Sequence, residues 1–299
     1  MLRERVLGIT LPRRRACAKR KPGIFCQPGR FTMAFVARPL PFVLASSNHG
    51  TMIVNRNDHH MTDDGRGYGV GYQILQNSEF DPGEVDTVLQ LLTLRRDAFG
   101  DGVVALDIGA NMGVHTIEWA RHMHGWGKVI AVEAQERIYY ALAGNIAINN
   151  CFNARAYHAA LGAEEGEMKI PRPDYLVPGS FGSLELRQSE KNEFIGQPID
   201  YSEQNSQTVR MITVDGLKLP RLDFIKMDIE GMELEGLAGA LKTIEAHKPH
   251  LWIEWLKTDQ QALRDLLDAQ GYKYYQMGIN IFAVHGNDPT RANINFISG

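Results

Sequence analysis

The chain has 299 residues, 44% of them hydrophobic and 22% charged, with a formal net charge of −3. Those figures describe an ordinary soluble protein with room for one large α/β domain plus extensions. They exclude a global basic surface for nucleic acid, and no apolar run approaches the roughly 20 residues needed to cross a bilayer.

The charge is unevenly placed. Met1–Arg30 holds nine Lys or Arg residues against Glu4 alone. Met1–Asn48 has no apolar periodicity and reads as a basic, disordered N-terminal extension, with Met33, Met52 or Met61 as alternative starts. A transit peptide or a nucleic-acid-binding arm are the other readings of such a stretch. Cys17, Cys26 and Cys151 form an odd set without metal-ligand or CxxC spacing, so they read as free thiols in a reducing, cytoplasmic setting. The ten histidines show no HExxH pattern and no neighbouring cysteine pair, so no zinc signature is present.

Residues 49–102 form an N-terminal region. Thr51–Gln76 reads as short strands with turns at Asp63–Gly65 and Gly69–Gly71. Glu84–Leu94 reads as an amphipathic helix, because Val85, Val88, Leu91 and Leu92 share a face at helical spacing. A helix just before the first core strand can cover a ligand at that strand's end, with Phe80 and Glu84 as lid candidates.

From Val103 the rhythm becomes regular, and 103–299 reads as one domain. Strands are expected at Val103–Asp107, Lys128–Glu133, Ala154–His158, Leu222–Asp228 and Pro249–Trp255. Helices are expected at Val114–His124, Glu136–Asn149, Met232–His247 and Asp259–Gln270. Glu167–Ile170 and Val209–Val214 look like an added antiparallel pair, and Tyr272–Gln276 with Ile279–Val284 like a closing hairpin. Alternating strands and helices imply a mostly parallel sheet with helices on both faces. Pro171–Gln207 is rich in Pro, Gly, Ser, Asn and Gln and has no period. A loop that long inside a compact domain is usually functional or disordered, and it is expected to shape the substrate site.

The rest of the chain is arranged around Val103–Val114, which reads VVALDIGANMGV. An apolar strand feeds a tight glycine turn and then a helix, the way α/β proteins make a nucleotide-shaped site. The turn is G-x-x-x-G, Gly109 to Gly113, with Asn111 where a dinucleotide fold wants its second glycine. Asp107 ahead of it repels phosphate but suits an ammonium or sulfonium group. The amino-acid end of S-adenosylmethionine (SAM) carries both.

Ligands of open α/β sheets collect at the carboxyl ends of the strands. Those ends carry Asp107, Glu133, His158, Asp228 and Glu254. Glu133 lies about 20 residues past the glycine turn, where a ribose-binding acid is expected. Asp228 ends a strand beside that turn and should face the reacting group of the ligand. Glu233 and Glu235 open a helix, where negative charge is favourable for its own sake.

DIGANMGVHT, EAQERIYYALAGNIAINN, ALGAEEG and TVDGLKLPRLDFIKMDIEGMELEGLAGA resemble the FkbM family of SAM-dependent methyltransferases. The resemblance runs from about Glu79 to Val284. It implies a class I methyltransferase, Rossmann-like α/β fold, with a seven-stranded, mostly parallel sheet whose last strand is antiparallel. It implies methyl transfer to a hydroxyl oxygen on a sugar, glycan or natural product. Carried over, Asp107, Gly109, Asn111 and Gly113 form the SAM turn, Glu133 holds the ribose, and Asp228 sits by the methionine and methyl end. Ala134 stands where the family often has Pro, and His115 where an aromatic or aliphatic residue is usual.

Methyl transfer needs little catalytic signature, because the cofactor carries the activated group. The protein must position the acceptor and help its hydroxyl lose a proton. Asp228, Glu230 and His158 are the possible bases, with Asp228 and Glu230 preferred. A divalent metal held by Asp228, Glu230 and Glu254 would do the same work, although no spacing requires one. Two other readings remain open: a nicotinamide-dependent oxidoreductase, against which the missing middle glycine speaks, and a non-catalytic methyltransferase-like binding module. The acceptor and the oligomeric state are not legible here.

Overall fold

In the computed structural model, residues 38–62, 65 and 67–294 are described. Most of the basic stretch expected to be a disordered extension lies outside them. Its C-terminal part does not behave as a tail: Phe42–Ser47 (β1) pairs antiparallel with Gly50–Asn55 (β2) over six residues. The hairpin turns at Asn48–His49, so the boundary expected at 48 falls inside a structural unit, one that begins at Pro39. Met52 and Val54 of β2 are completely buried.

His60–Met61 (β3) and Gly67–Tyr68 (β4) form a two-residue ladder. Val70–Asn77 (α1) is a helix where short strands were expected. Its apolar residues are too few to show a period, and it ends on Ser78 in the left-handed region. Pro82–Phe99 (α2) buries Val85, Val88, Leu91 and Leu92, the stripe the sequence displays.

The core then alternates. Val103–Ile108 (β5), Val114–His122 (α3), Gly127–Glu133 (β6), Glu136–Ile148 (α4) and Ala154–His158 (β7) come first. Ala160–Leu161 (β8), Gly166–Pro171 (β9) and Ser206–Ile212 (β10) form a small side sheet, with β9 and β10 antiparallel as expected. Phe224–Met227 (β11), Glu233–Ala238 (α5), Leu241–His247 (α6), His250–Glu254 (β12), Gln260–Ala269 (α7), Tyr272–Met277 (β13) and Asn280–His285 (β14) complete it. The single helix expected over Met232–His247 is broken at Gly239–Ala240. A side chain at Gly239 would meet the carbonyl of Gly162 at 2.1 Å, so the small residue lets the side sheet approach.

The seven strands are ordered β13-β14-β12-β11-β5-β6-β7. Only β14 runs against its neighbours. The chain order reverses between β5 and β11, which is the switch point where a crevice opens at the strand ends. All six residues of β5 are buried, as a strand covered on both faces must be. Alternate residues serve opposite faces. Leu106, Ile225 and Ile253 join the core under α5–α7, while Ala105, Phe224 and Trp252 join the core under α2 and α3.

Asn145 of α4 fixes the N-terminal hairpin to this frame. It is completely buried. Its Oδ1 accepts from Ile53 N at 2.6 Å, and its Nδ2 donates to the carbonyls of Met112 at 2.8 Å and Ile53 at 3.2 Å. One amide thus joins the hairpin to the glycine turn.

Candidate active site

A cavity of about 360 Å³ opens at the carboxyl ends of β5, β6 and β11. That size suits a small-molecule site. Its floor is Gly109–Gly113. Gly109 sits at φ +75, and a Cβ there would lie 1.7 Å from the carbonyl oxygen of Asp228. Only glycine brings the turn that close to the end of β11. Asn111 also takes a left-handed conformation, at φ 50, one of the few residue types that accept it.

Glu133, from the end of β6, lines one side. Its carboxylate accepts from Asn111 N at 2.9 Å and from Gln135 N at 2.7 Å. Burial pushes its pKa up to about 7, against the pull of the N–H groups of Gln135, Asn111 and Ala134. Gln135 reaches on: its Nε2 donates to Phe181 O at 2.8 Å, and its Oε1 accepts from the Tyr175 hydroxyl at 3.0 Å. The long segment 171–207 is thereby tied to the strand end, and Ser180, Gly182–Leu184, Leu186 and Glu193 all line the cavity.

Asp58 holds the same segment from the other side. It is completely buried, and its two oxygens accept from Gly71 N at 2.8 Å and Phe181 N at 3.0 Å. Burial raises its pKa to about 6 despite those two bonds. Among the lid candidates, Phe80 lines the cavity together with Asp81. Glu84 is turned away, toward His115 Nε2 at 3.2 Å and Asn280 Nδ2 at 3.0 Å. The pairing with His115 holds its pKa low although burial alone would raise it.

The far end is a charged cluster. Asp228, Glu230 and Glu254 bring carboxylate oxygens within 4.8 Å of one another. Lys226 Nζ lies 2.9 Å from Asp228, and Lys257 Nζ lies 2.6 Å from Glu230 and 2.7 Å from Glu193. Burial and the neighbouring Asp228 charge raise the carboxyl of Glu230 well above its ordinary range, and Glu254 is pushed up to about 8 for the same reasons. Glu230 sits at φ 54, a conformation that costs a non-glycine residue of the order of 1 kcal/mol and often marks a functional turn.

Two expected site residues fall outside the cavity lining. Asp107 is completely buried inside β5, where its Oδ2 accepts from the Thr116 hydroxyl. It stands in register with Lys226 on the adjacent strand. Lys226 is its neighbouring cation, and Asp228 and Asp107 together hold that ammonium protonated although burial opposes it. Asp107 thus sits one residue short of the strand end, buried beneath the turn between Thr116 and Lys226. His158 is likewise turned aside: its Nε2 is 3.1 Å from Ala134 O, and its ring stacks on Tyr139 at 5.1 Å.

Lys226, Lys257, Gln135 and Asp58 did not stand out in the sequence. For Lys226 a signal exists: a lysine inside the buried run FIKM needs an acid within reach, and Asp228 is two residues on.

A sheet in this order, with one antiparallel strand beside its edge and a cavity at the switch point, defines a class I methyltransferase fold. The family model described as "Methyltransferase FkbM domain" matches residues 107–274, and the chain belongs to that family of SAM-dependent methyltransferases. Membership sets aside the oxidoreductase alternative. Among solved structures, the methyltransferase FkbM from Methylobacillus flagellatus KT is similar at 18% identity and TM-score 0.43, covering 62% of this chain and 43% of that one. This chain therefore spans less than half of that protein. The precorrin-6y C5,15-methyltransferase from Geobacter metallireducens GS-15 aligns at 15% identity and TM-score 0.39, over 70% of this chain and 90% of that one. The METTL16 MTase domain aligns at 13% identity and TM-score 0.40, over 78% and 88%. No curated protein matches the sequence. No helix among the described residues is long and apolar enough to cross a membrane.

The cavity fits the cofactor of the family. It joins a buried carboxylate at one end, the Gly109–Gly113 turn in the middle and a cluster of acids at the other end.

Proposed function

We propose that the protein transfers the methyl group of SAM to a hydroxyl oxygen of a sugar, glycan or natural product. One observation carries this reading. A single cavity joins Glu133, the Gly109–Gly113 turn and the Asp228–Glu230 pair, with the segment 171–207 along its open side.

In this reading Glu133 accepts hydrogen bonds from the ribose hydroxyls. Gly109, Asn111 and Gly113, all at positive φ, shape the turn on which the ligand lies. Asp228 faces the cationic amino-acid and methyl end, held in place by Lys226. When bound, SAM supplies an activated methyl on a positively charged sulfur. The chain's task is then to hold the acceptor oxygen in line and to draw off its proton. Asp228 and Glu230 are the groups we assign to that proton. The segment 171–207 shapes the acceptor side, and residues before Pro39 are an extension not needed for the cavity.

Incubation with methyl-labelled SAM and fractionated sugars, glycans and small metabolites tests the reading. An O-methyl ether survives hydroxide, whereas a methyl ester is cleaved and an N-methyl amine is retained on a cation exchanger. Label found only in the ester or amine fractions would reject hydroxyl methylation while leaving the methyltransferase class intact.

A further inference from the structure

The cluster at the far end of the cavity holds four carboxyl groups against two lysines. Asp228, Glu230, Glu254 and Glu193 meet Lys226 and Lys257. Glu254 is the decisive member. It is 5% exposed, it lines the cavity, and its Oε2 is buried without a hydrogen-bond partner. A buried carboxylate oxygen with nothing to accept from is costly, and no neighbouring side chain of the described residues offers it a donor. Its carboxylate is aimed into the space shared with Asp228 and Glu230.

The geometry points to a binding site for one hard divalent cation, of the Mg²⁺ or Mn²⁺ class, held by one carboxylate oxygen each from Asp228, Glu230 and Glu254. Ligand oxygens about 2.0–2.1 Å from a Mg²⁺ ion stand up to roughly 4.2 Å apart across it. One oxygen from each of the three carboxylates lies within 4.8 Å of the others, so small side-chain adjustments bring all three onto one ion. All donors are oxygens, which selects hard cations over zinc or copper. Lys226 and Lys257 each engage one oxygen of Asp228 and Glu230; the second oxygen of each carboxylate lies outside those pairs. The site is built by rigid parts: Asp228 follows β11, Glu254 closes β12, and Glu230 is fixed by the left-handed turn before Gly231. Three protein ligands leave open positions on an octahedral ion toward the cavity. The inference deepens the proposed function: an ion there would bind the acceptor's hydroxyl oxygen and share the role given to Asp228 and Glu230.

Mn²⁺ is the probe, titrated into the full-length, chelator-stripped protein and followed by the loss of its free electron-paramagnetic-resonance signal. We expect one saturable equivalent, present with and without SAM, displaced by Mg²⁺, and weakened tenfold or more in both E254Q and E230Q. E254Q removes a buried carboxyl among like charges and should melt at or above the parent's temperature, so its lost binding reads as a lost ligand; E230Q also breaks the Lys257 pair and should melt lower. Absence of saturable binding, parental affinity in either variant, or loss of the ion on adding SAM overturns the site. SAM affinity of the metal-free protein is measured separately by calorimetry. A protein that binds Mn²⁺ but not SAM fails the proposed function alone, and one that binds SAM but not Mn²⁺ fails this inference alone.

Discussion

The backbone N–H of Asn111 donates to the carboxylate of Glu133 at 2.9 Å, so the glycine turn after β5 is tied to the end of β6. The bond holds the turn in shape and fixes one carboxylate oxygen while leaving lone pairs for a ligand. Ribose hydroxyls are held more strongly when this group is ionised, because the protonated carboxyl keeps only part of its acceptor capacity. Burial has pushed its pKa up to about 7. SAM affinity should therefore fall as pH drops below about 7, and binding near that pH should release a proton. The sign for stability is opposite. A carboxyl whose folded pKa is raised binds more protons folded than unfolded, so the empty protein loses this contribution as pH rises from about 4.5 to about 7. Glu133→Ala should weaken SAM binding by roughly 1.5–3 kcal/mol. Calorimetry across pH 5.5–8.5, in buffers of different ionisation enthalpy, checks both; a flat pH profile with unchanged affinity in the variant rejects the ribose role.

Gly109 is the position where the turn tolerates least. Alanine there would need φ +75 and would press its Cβ into the carbonyl of Asp228. Neither neighbour can yield, since both belong to strand ends. Gly109→Ala should destabilise the fold by about 2–4 kcal/mol or displace the turn, with SAM binding lost in either case. Thermal melting and calorimetry together test this, and a variant with parental melting and SAM affinity contradicts it.

How far these relationships could be read from the sequence depends on their range. The seven strands, the antiparallel β9–β10 pair and the stripe of α2 were legible, because periods of 2 and 3.6 are local properties. The place of Glu133 on the cavity wall was legible from its distance to the glycine turn. Asp107 was expected at the ligand because it ends an apolar run, but the strand runs one residue further, and Ile108 lines the cavity while Asp107 lies buried below it. His158 also ends a strand, yet its ring lies against Ala134 O and Tyr139: a strand end is not yet a cavity wall. Asp58 left no trace. Its partners, Gly71 and Phe181, lie 13 and 123 residues away, and no local pattern encodes a bond of that span.

Asp58 provides the third prediction. Both of its oxygens receive main-chain N–H groups, one from α1 and one from the segment 171–207. Asparagine would present an NH₂ to one of those donors and leave it unsatisfied, at a cost of about 1–3 kcal/mol. Asp58→Asn should lower the melting temperature and speed proteolysis within 171–207 ahead of global unfolding. Cleavage that stays at the parental rate would show that Gln135 and Tyr175 hold the segment by themselves.

The N-terminal boundary is testable by truncation. Removing residues before Pro39 leaves every described hydrogen bond of the hairpin in place. Removing Met1–Asn48 deletes β1 and exposes the outer edge of β2, beside the buried Met52 and Val54. The longer truncation should melt lower by roughly 2–4 °C for each kcal/mol lost, and the shorter one should melt like the parent. Equal melting of the two would mean that β1 contributes nothing to the domain.

The last prediction separates cofactor from acceptor. Asp228 borders the glycine turn and pairs with the buried Lys226 at 2.9 Å. Asp228→Asn keeps the shape but removes a charge that both Lys226 and the ligand's cationic end require. Methyl transfer should fall by a hundredfold or more, with weaker SAM binding as part of the effect. The segment 171–207 needs a more selective lesion. Phe181 and Ile195 are buried, and Phe181 is bonded to Gln135 and Asp58, so a deletion through them would reach the Glu133 side. Gln188–Lys191 is exposed and carries none of those bonds. Replacing it by a single glycine should spare SAM affinity and raise the KM for the acceptor. SAM calorimetry and acceptor kinetics on both variants decide the assignment. If the shortened segment loses SAM binding while Asp228→Asn behaves like the parent, the cofactor and acceptor ends of the cavity are reversed.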